Sequence, residues 1–445
     1  MNPVQNPASR YFPLDNEQLE KLSDAYGTPF YLYDEAAIRR NMQKFTQAFA
    51  GTKDAPLFDF REYFAVKACP NPYILQILAS EGCGADCSSL PELILAQKSG
   101  ICGKHIMFSS NETPREEYKK AHELGAIINL DDITHIDFLE RTLGEIPETI
   151  CFRYNPGALK SGNAIIGKPE EAKYGLTREQ LFDAYSEVQK RGSKHFGLHT
   201  MVASNELNEE YFVETARIVF ELVAEISEKL NIHFDFVDLG GGIGIPYRPE
   251  QQAVDYARLA AKIKTEYDAI IATAGLAPLA LYWECGRPIT GPFGYLVTRA
   301  IHEKHIYRDY IGVDASMADL MRPGMYGAYH EITVSGKENA PKTHVYDVVG
   351  SLCENCDKFA VQRKLPQIKT EFAHDDENRN GNQGGNRGDL LIIHDVGAHG
   401  RAMGFNYNGK LRAGELLLKS DKSVKLIRRR ETIEDYFATL DFSSL

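Results

Sequence analysis

Eight short strand-like runs alternate with helical segments between about residues 60 and 285. The runs are YFAVK (63–67), GADC (84–87), HIMFS (105–109), AIIN (126–129), ICFRY (150–154), FGLHTM (196–201), DFVDL (235–239) and LYWEC (281–285). Consecutive parallel strands need long crossover connections, and the helical segments between the runs supply them. The alternation therefore predicts an α/β fold in which eight parallel strands close into a (β/α) barrel. An open, doubly wound sheet with two extra strands is the alternative.

The pattern changes after about residue 290, where strand-like runs follow one another with few helices. These runs are GYLVTRAIHEKH (294–305), YIGVD (310–314), HVYDVVG (344–350), DLLIIHDVG (389–397) and LIRRRET (426–432). They predict a second, mostly antiparallel β-domain, and a chain of 445 residues is longer than one hydrophobic core usually serves. The polar segment 374–389 is interpreted as a flexible surface loop.

Composition argues against several classes of partner. The formal net charge of −12 argues against a general binder of nucleic acid or of an anionic membrane. The first residues lack the pattern of a secretory signal, and no run of 18 apolar residues occurs, so we expect a cytoplasmic protein without a membrane span. The eight cysteines are then expected to be reduced thiols. The pair Cys353 and Cys356 matches C-x-x-C, but nothing around it favours a redox or zinc site.

Chemistry in such a barrel is expected at the carboxyl ends of the strands. Lys67 ends the first strand-like run, where a lysine is costly unless it is paired, exposed or used covalently. An ordinary surface lysine is the simpler interpretation. Other strand ends supply a glycine-rich turn and the carboxylate of Glu284, and no cluster of histidines and carboxylates suited to a metal is expected.

The turn DLGGGIGIP does not match a dinucleotide fingerprint, because the third glycine of G-x-G-x-x-G is missing. Three consecutive glycines let backbone N–H groups approach a small anion such as one phosphate, although the turn could serve packing alone. A pyridoxal phosphate site needs a lysine, a carboxylate for the pyridine nitrogen and a cradle for one phosphate. The strand ends offer one of each.

Seven motifs in order resemble those of diaminopimelate decarboxylases, from about residue 27 to the C-terminus. They are YFAVKACPNPYIL, GADCSSLPEL, DLGGGIGIPY, ECGRPITGPFG, DLMRPGMYGAYHEI, GSLCENCDKFA and HDVGAHGRAMGFNYNG. These are pyridoxal-phosphate enzymes related to alanine racemase and the eukaryotic ornithine decarboxylases. The resemblance implies an alanine racemase-like barrel over 35–290, a β-domain formed by 1–34 and 291–445, and a homodimer whose active sites are shared between subunits.

The resemblance also implies roles for residues at the cofactor. Lys67 would be the catalytic lysine that forms the Schiff base, and Glu284 would pair with the pyridine nitrogen. The phosphate and its surroundings would involve Ser204, Gly240, Gly241, Gly242, Cys285, Gly286 and Arg287.

A further set of residues would bind the substrate and complete the reaction. Arg287 and Arg322 would bind the distal carboxylate of diaminopimelate, and Tyr326 would add a hydroxyl. Glu354 would bind the distal ammonium group, and Cys353 would be the proton donor, both from the partner subunit. Alternatively, Arg287 serves chiefly the phosphate, and Arg322 is an ordinary ion-pair residue.

Four positions depart from the family pattern. Met201 stands where a histidine usually stacks on the cofactor ring, with His199 two residues earlier on the same face of the strand. His399 replaces a tyrosine that contacts both cofactor and substrate, and Asn355 replaces a serine near the distal amine. Cys285 replaces the proline of the usual EPGR.

The resemblance implies decarboxylation of meso-2,6-diaminopimelate to L-lysine, the last step of lysine biosynthesis. Alternatives are a decarboxylase of D-ornithine, D-lysine or a carboxylated polyamine, and more remotely an amino-acid racemase. A non-catalytic relative would have no reason to keep Lys67, Glu284 and Cys353 together.

Overall fold

A computed structural model describes residues 10–160, 167–371 and 387–443 of the chain. Its helices are α1 (Asn16–Tyr26), α2 (Glu35–Ala50), α3 (Pro72–Ser80), α4 (Leu90–Lys98), α5 (Arg115–Glu123), α6 (His135–Leu143), α7 (Arg178–Lys190), α8 (Glu209–Leu230), α9 (Tyr256–Tyr267), α10 (Arg287–Thr290), α11 (Arg322–Tyr326) and α12 (Ile433–Phe437). The segment expected to be a loop, 374–389, lies largely outside the described residues.

The strands come in two groups and one small hairpin. They are β1 (Phe30–Asp34), β2 (Gly51–Thr52), β3 (Ala55–Pro56), β4 (Phe60–Ala65), β5 (Gly84–Cys87), β6 (Ile106–Ser109), β7 (Ile127–Leu130), β8 (Thr149–Tyr154), β9 (His195–Thr200), β10 (Phe234–Asp238), β11 (Ala280–Trp283), β12 (Gly294–His305), β13 (Asp309–Val313), β14 (Ile332–Val334), β15 (His344–Val349), β16 (Lys358–Leu365), β17 (Leu390–Ile393), β18 (Gly414–Leu418) and β19 (Val424–Arg428).

Contacts divide the chain into two compact units. The barrel unit comprises Ile38–Pro246 and Gln252–Ile289, and the sheet unit comprises Met1–Ala37, Tyr247–Gln251 and Thr290–Leu445. No helix in the described part of the chain is long and apolar enough to cross a membrane.

The barrel unit contains the predicted closed barrel. Strands β4 to β11 pair in parallel, in the order β10-β11-β4-β5-β6-β7-β8-β9 with β9 closing on β10. Each of the eight runs named from the sequence overlaps one of these strands. The open-sheet alternative was therefore wrong. Two helix starts follow from their sequence: the side chains of Asn71 and Ser89 accept backbone N–H groups and cap α3 and α4, and each helix has a proline in its first turn.

The sheet unit is mostly antiparallel, as predicted. Its nine-stranded sheet contains six antiparallel strand pairs, and the two parallel pairs are β1 with β18 and β13 with β15. The N-terminal strand β1 lies between β12 and β18, so an early segment completes a late sheet. A buried cluster on one face of this sheet includes Leu19 of α1, Phe30 and Leu32 of β1, and Val297 of β12.

Large aromatic side chains fill the barrel interior, and some of them leave room only for glycine at the neighbouring position. Gly197 in β9 lies against the ring of Phe236 in β10, and a β-carbon at residue 197 would lie 2.0 Å from that ring. Phe236 is itself buried and stacks on Tyr282 of β11, with ring centroids 4.7 Å apart. The ring therefore has little freedom to move aside.

We predict that Gly197→Ala lowers the free energy of unfolding by about 1–3 kcal/mol, because the added methyl group overfills the barrel. Phe236→Leu should also lower the free energy of unfolding, because it leaves a cavity. In the double variant Gly197→Ala/Phe236→Leu the added methyl group can occupy that cavity, so its free energy of unfolding should fall by less than the sum of the two single losses. Urea denaturation of the three variants measures this. Strictly additive losses would show that the methyl group and the ring do not compete for the same space.

Candidate active site

Lys67 lies just beyond the first barrel strand. Strand β4 ends at Ala65, and Lys67 is the middle residue of a short 3-10 helix, Val66–Ala68. This differs slightly from the prediction, which placed Lys67 at the end of the strand itself. Val66 and Ala68 are buried, whereas Lys67 is exposed, so its amine is accessible for covalent chemistry.

Glu284 follows the last barrel strand, β11, and is buried with 7% of its surface exposed. Its Oε2 atom lies 3.0 Å from Nε2 of His199, and its Oε1 atom accepts a hydrogen bond from the Ser109 hydroxyl at 3.1 Å. Asn129 in turn donates to the Ser109 oxygen at 3.1 Å. Three other barrel strands therefore fix the carboxylate, and none of these partners was assigned a role from the sequence.

Glu284 is one of several buried carboxyl groups at the site, and its pKa shifts in the opposite direction from those of its neighbours. Burial alone would raise the pKa of Glu284, but the charges and hydrogen bond of His199, with Lys67 and Arg153 nearby, outweigh it and lower that pKa. Burial and the charge of Glu284 raise the pKa values of both Asp86 and Asp238 well above the usual range. These shifts favour the ionised form of Glu284 and the protonated forms of Asp86 and Asp238.

His199, Asp238 and Glu284 come from adjacent strands, and their ligand atoms all lie within 4.8 Å of one another. Such spacing is compatible with a metal ion, and the sequence did not predict this cluster. The signal was present in His199, which lies on the same strand face as Met201. The sequence could not predict the register in which β10 pairs with β9 on one side and with β11 on the other.

The glycine turn lies directly against the backbone of Glu284. Gly240 and Gly242 have positive φ angles of 67° and 99°, which favour glycine. A β-carbon at Gly241 would lie 2.4 Å from the carbonyl oxygen of Glu284, and one at Gly242 would lie 2.4 Å from that of Ala203. Side chains are thus excluded from the turn on steric grounds. The Gly240 N–H donates to Oδ1 of Asp238 at 2.8 Å, and Gly242 is only partly buried.

Met201 contacts this same turn. The Gly241 N–H donates to the thioether sulfur of Met201 at 3.1 Å. Ser204 is partly buried in the segment after β9, which runs beside the turn because the Glu206 N–H donates to the Gly242 carbonyl at 2.9 Å.

The turn from Glu284 to Arg287 completes the barrel part of the site. Arg287 begins α10 and is buried, with 8% of its surface exposed. A β-carbon at Gly286 would lie 2.5 Å from the β-carbon of Ala68, so this turn packs against the turn that carries Lys67. The structure thus brings together the predicted lysine, carboxylate and glycine turn.

The remaining predicted site residues belong to the sheet unit. Arg322 begins α11 and is buried, and its Nη1 donates to the hydroxyl of Tyr247 at 2.8 Å and lies 3.0 Å from Nε2 of His330. Tyr326, four residues later, is 61% exposed. His399 is partly buried and has a positive φ of 56°.

Cys353 and Glu354 lie together on an exposed loop of the sheet unit. The Cys353 N–H donates to the side chain of Asn408 at 2.8 Å, and Glu354 accepts the N–H of Cys356 at 3.2 Å. A β-carbon at Gly324 of α11 would lie 2.4 Å from the Cys356 carbonyl oxygen, so the loop packs against α11.

Comparison with known proteins identifies the family. The pyridoxal binding domain of pyridoxal-dependent decarboxylases matches residues 35–291. The chain belongs to this family. It is 41% identical to Protein TabA of Pseudomonas amygdali pv. tabaci over 96% of this chain and 94% of that protein. It is 33% identical to a diaminopimelate decarboxylase of Methanothermobacter thermautotrophicus over 93% and 92%.

A solved structure of diaminopimelate decarboxylase from M. jannaschii superposes with a TM-score of 0.84, at 30% identity over 95% of this chain and 94% of that one. The same enzyme in complex with L-lysine gives 0.82. The protein is accordingly a pyridoxal-phosphate-dependent decarboxylase with the predicted barrel and β-domain.

The residues of the barrel fit this cofactor. An exposed amine, a buried ionised carboxylate and a turn that excludes β-carbons meet its three chemical needs. Lys67 would hold the cofactor covalently, Glu284 would accept the proton of the pyridine nitrogen as a hydrogen bond, and Gly240–Gly242 would receive the phosphate.

We predict that His199→Leu makes cofactor binding pH-dependent. Without the histidine, burial raises the pKa of Glu284, so the carboxylate takes up a proton as the pH falls and loses its attraction for the protonated ring. Affinity for pyridoxal phosphate should fall about ten- to hundredfold at pH 6 and recover towards pH 8.5, as expected for a lost charge-assisted hydrogen bond. Titration of the cofactor absorption measures the dissociation constant at each pH.

Two controls make this prediction specific. His199→Gln keeps an N–H donor and should lose less affinity than His199→Leu. His195→Leu changes the exposed histidine at the other end of the same strand, which pairs with Asp235 rather than Glu284. Equal pH profiles for all four proteins would contradict a role for His199 at Glu284.

Proposed function

We propose that the protein decarboxylates meso-2,6-diaminopimelate to L-lysine and CO2 as the last step of lysine biosynthesis, in the cytoplasm. The observation that carries this proposal is the presence of two buried arginines, Arg287 in the barrel unit and Arg322 in the sheet unit. Two guanidinium groups suit a second carboxylate far from the reacting carbon. The relatives named diaminopimelate decarboxylase, which align over nearly their whole length, support the same substrate.

When bound, pyridoxal phosphate would supply the electron sink that allows the bond from the α-carbon to the carboxylate to break. Glu284, ionised in the barrel, keeps the proton on the ring nitrogen. Lys67 would hold the cofactor covalently through its exposed amine. Cys353 donates a proton to the α-carbon after CO2 leaves, so one proton is consumed for each lysine formed.

Recognition of the distal end of the substrate is assigned to side chains of opposite charge. Arg287 and Arg322 would bind the carboxylate and Glu354 the ammonium group, with Tyr326 and His399 as further contacts. Cys353 and Glu354 are exposed, so they could complete a site in a second copy of the chain, and we propose a homodimer with shared active sites.

A second candidate is decarboxylation of a different amino acid, such as D-ornithine or D-lysine, or of a carboxylated polyamine. Two observations support this second candidate. The chain is more similar to Protein TabA than to the diaminopimelate decarboxylases named above. Met201, Asn355 and His399 also replace the residues usual in the family. These substrates lack the distal carboxylate, so Arg287 and Arg322 would have no shared ligand group if one of them were the substrate.

We predict that Arg322→Ala lowers kcat/KM for meso-diaminopimelate about ten- to hundredfold, the usual effect of losing one charged hydrogen-bond partner. Turnover of D-lysine, if detectable, should be unaffected. Arg308→Ala is the control, since Arg308 pairs with Asp347 within the sheet. Melting curves must accompany the assay because Arg322 also contacts Tyr247 and His330. Unchanged kcat/KM in Arg322→Ala would make Arg322 a structural residue.

Shared active sites give a second prediction. Lys67→Ala and Cys353→Ala should each be nearly inactive, but unfolding and refolding them together should restore about a quarter of the wild-type activity, because half of the dimers then contain one intact site. The assay is lysine release from the refolded mixture, with wild-type protein refolded in parallel as the standard. No recovery would place Lys67 and Cys353 in the same subunit's site.

A further inference from the structure

The strands that precede Lys67 and Glu284 are neighbours in the barrel. Strands β4 and β11 pair in parallel, and the last residues in register are Glu62 and Trp283. Beyond this pair, β4 passes into the 3-10 helix of Lys67, and β11 ends. The two turns proposed for the cofactor chemistry therefore begin where the backbone pairing between their strands stops.

One side chain continues the connection past this point. Oε1 of Glu62 accepts the backbone N–H of Cys285 at 2.7 Å. Cys285 is fully buried and Glu62 is 2% exposed, so solvent cannot satisfy this N–H. A buried backbone donor without a partner is costly, and Glu62 supplies the acceptor that the ended sheet no longer provides.

Burying a carboxyl group at residue 62 is itself unfavourable. Burial raises the pKa of Glu62 well above the usual range; the Cys285 N–H opposes that rise, and the nearby Asp238 and Glu284 add to it. Oε2 of Glu62 has no hydrogen-bond partner within the described residues. A proline at residue 285, as in the family pattern, has no N–H, and would allow an apolar residue at 62. The pair therefore costs stability that a simpler pair would avoid.

A second contact shows what the position of Cys285 controls. The next residue, Gly286, packs so closely on Ala68 that a β-carbon would lie 2.5 Å from that of Ala68. Ala68 is adjacent to Lys67, and Cys285 is adjacent to Glu284. Any shift of the Cys285–Gly286 backbone is therefore transmitted to both turns.

We propose that Glu62 is a positioning residue: by holding the Cys285 N–H, it fixes the turn of Glu284 against the turn of Lys67 and sets the spacing of amine and carboxylate at the cofactor. Glu62 acts through the backbone and is assigned no contact with cofactor or substrate. This inference rests on the roles proposed above for Lys67 and Glu284.

The test is a double-mutant cycle on the full-length protein reconstituted with pyridoxal phosphate. Glu62→Leu removes the acceptor, Cys285→Pro removes the donor, and the double variant removes both. Glu62→Gln keeps an acceptor oxygen, and Cys285→Ala keeps the N–H while removing the thiol. The readouts are the cofactor dissociation constant and the pH midpoint of its visible absorption, with melting temperatures measured in parallel.

We expect Glu62→Leu and Cys285→Pro each to weaken cofactor binding about tenfold and to move the pH midpoint. The first variant leaves the buried Cys285 N–H without its acceptor, and the second leaves Oε1 of Glu62 without its donor. Glu62→Gln should restore most of the affinity, the loss in Cys285→Pro should exceed that in Cys285→Ala, and the double variant should lose less than the sum of the single ones. Additive losses, or lower melting temperatures with unchanged affinity and pH midpoint, would overturn the proposal.

Failure of the underlying roles has a different signature. Lys67→Ala must abolish the visible absorption of covalently held cofactor. If it does not, the role proposed for Lys67 is wrong, whatever the result of the cycle. If it does, while the cycle shows no coupling, only the inference about Glu62 is overturned.

Discussion

The barrel site depends on one buried carboxylate, Glu284, whose pKa is lowered although those of its buried neighbours Asp86 and Asp238 are raised. Oε1 of Glu284 accepts a hydrogen bond from Ser109 and its Oε2 lies against His199, while burial and the charge of Glu284 raise the pKa values of Asp86 and Asp238. An isolated buried charge would be expensive, but here it is hydrogen-bonded and close to the cations Lys67 and Arg153. In the proposed role of Glu284, this arrangement would give the ring nitrogen of the cofactor one defined anionic partner.

The backbone around Glu284 is tightly packed on two sides. Gly241 approaches its carbonyl oxygen from one side, and the following Gly286 approaches Ala68 on the other. A β-carbon at either glycine would force these segments apart. The turns that carry Lys67, Glu284 and Gly240–Gly242 are thus held by backbone contacts between strand ends, which suits a site that keeps a fixed geometry.

The sequence predicted the barrel because eight separate runs carried the same alternating signal, and it predicted Lys67, Glu284 and the glycine turn because chemistry in barrels lies at strand ends. It did not predict His199 and Ser109 as partners of Glu284, since those contacts depend on which side chains meet across the barrel. In the sheet unit, β18 was missed: its sequence GELLL lacks β-branched residues, and its burial comes from pairing with β1 at the other end of the chain.

The most direct test of the account is the protonation state of the ring nitrogen in the bound cofactor. Protein reconstituted with pyridoxal phosphate labelled with 15N in the ring can be examined by solid-state or solution NMR at neutral pH. An ionised Glu284 predicts the chemical shift of a protonated pyridine nitrogen, lost in Glu284→Gln. The shift of an unprotonated nitrogen in the wild-type protein would contradict the role of Glu284, because its buried charge would then have no function at the cofactor.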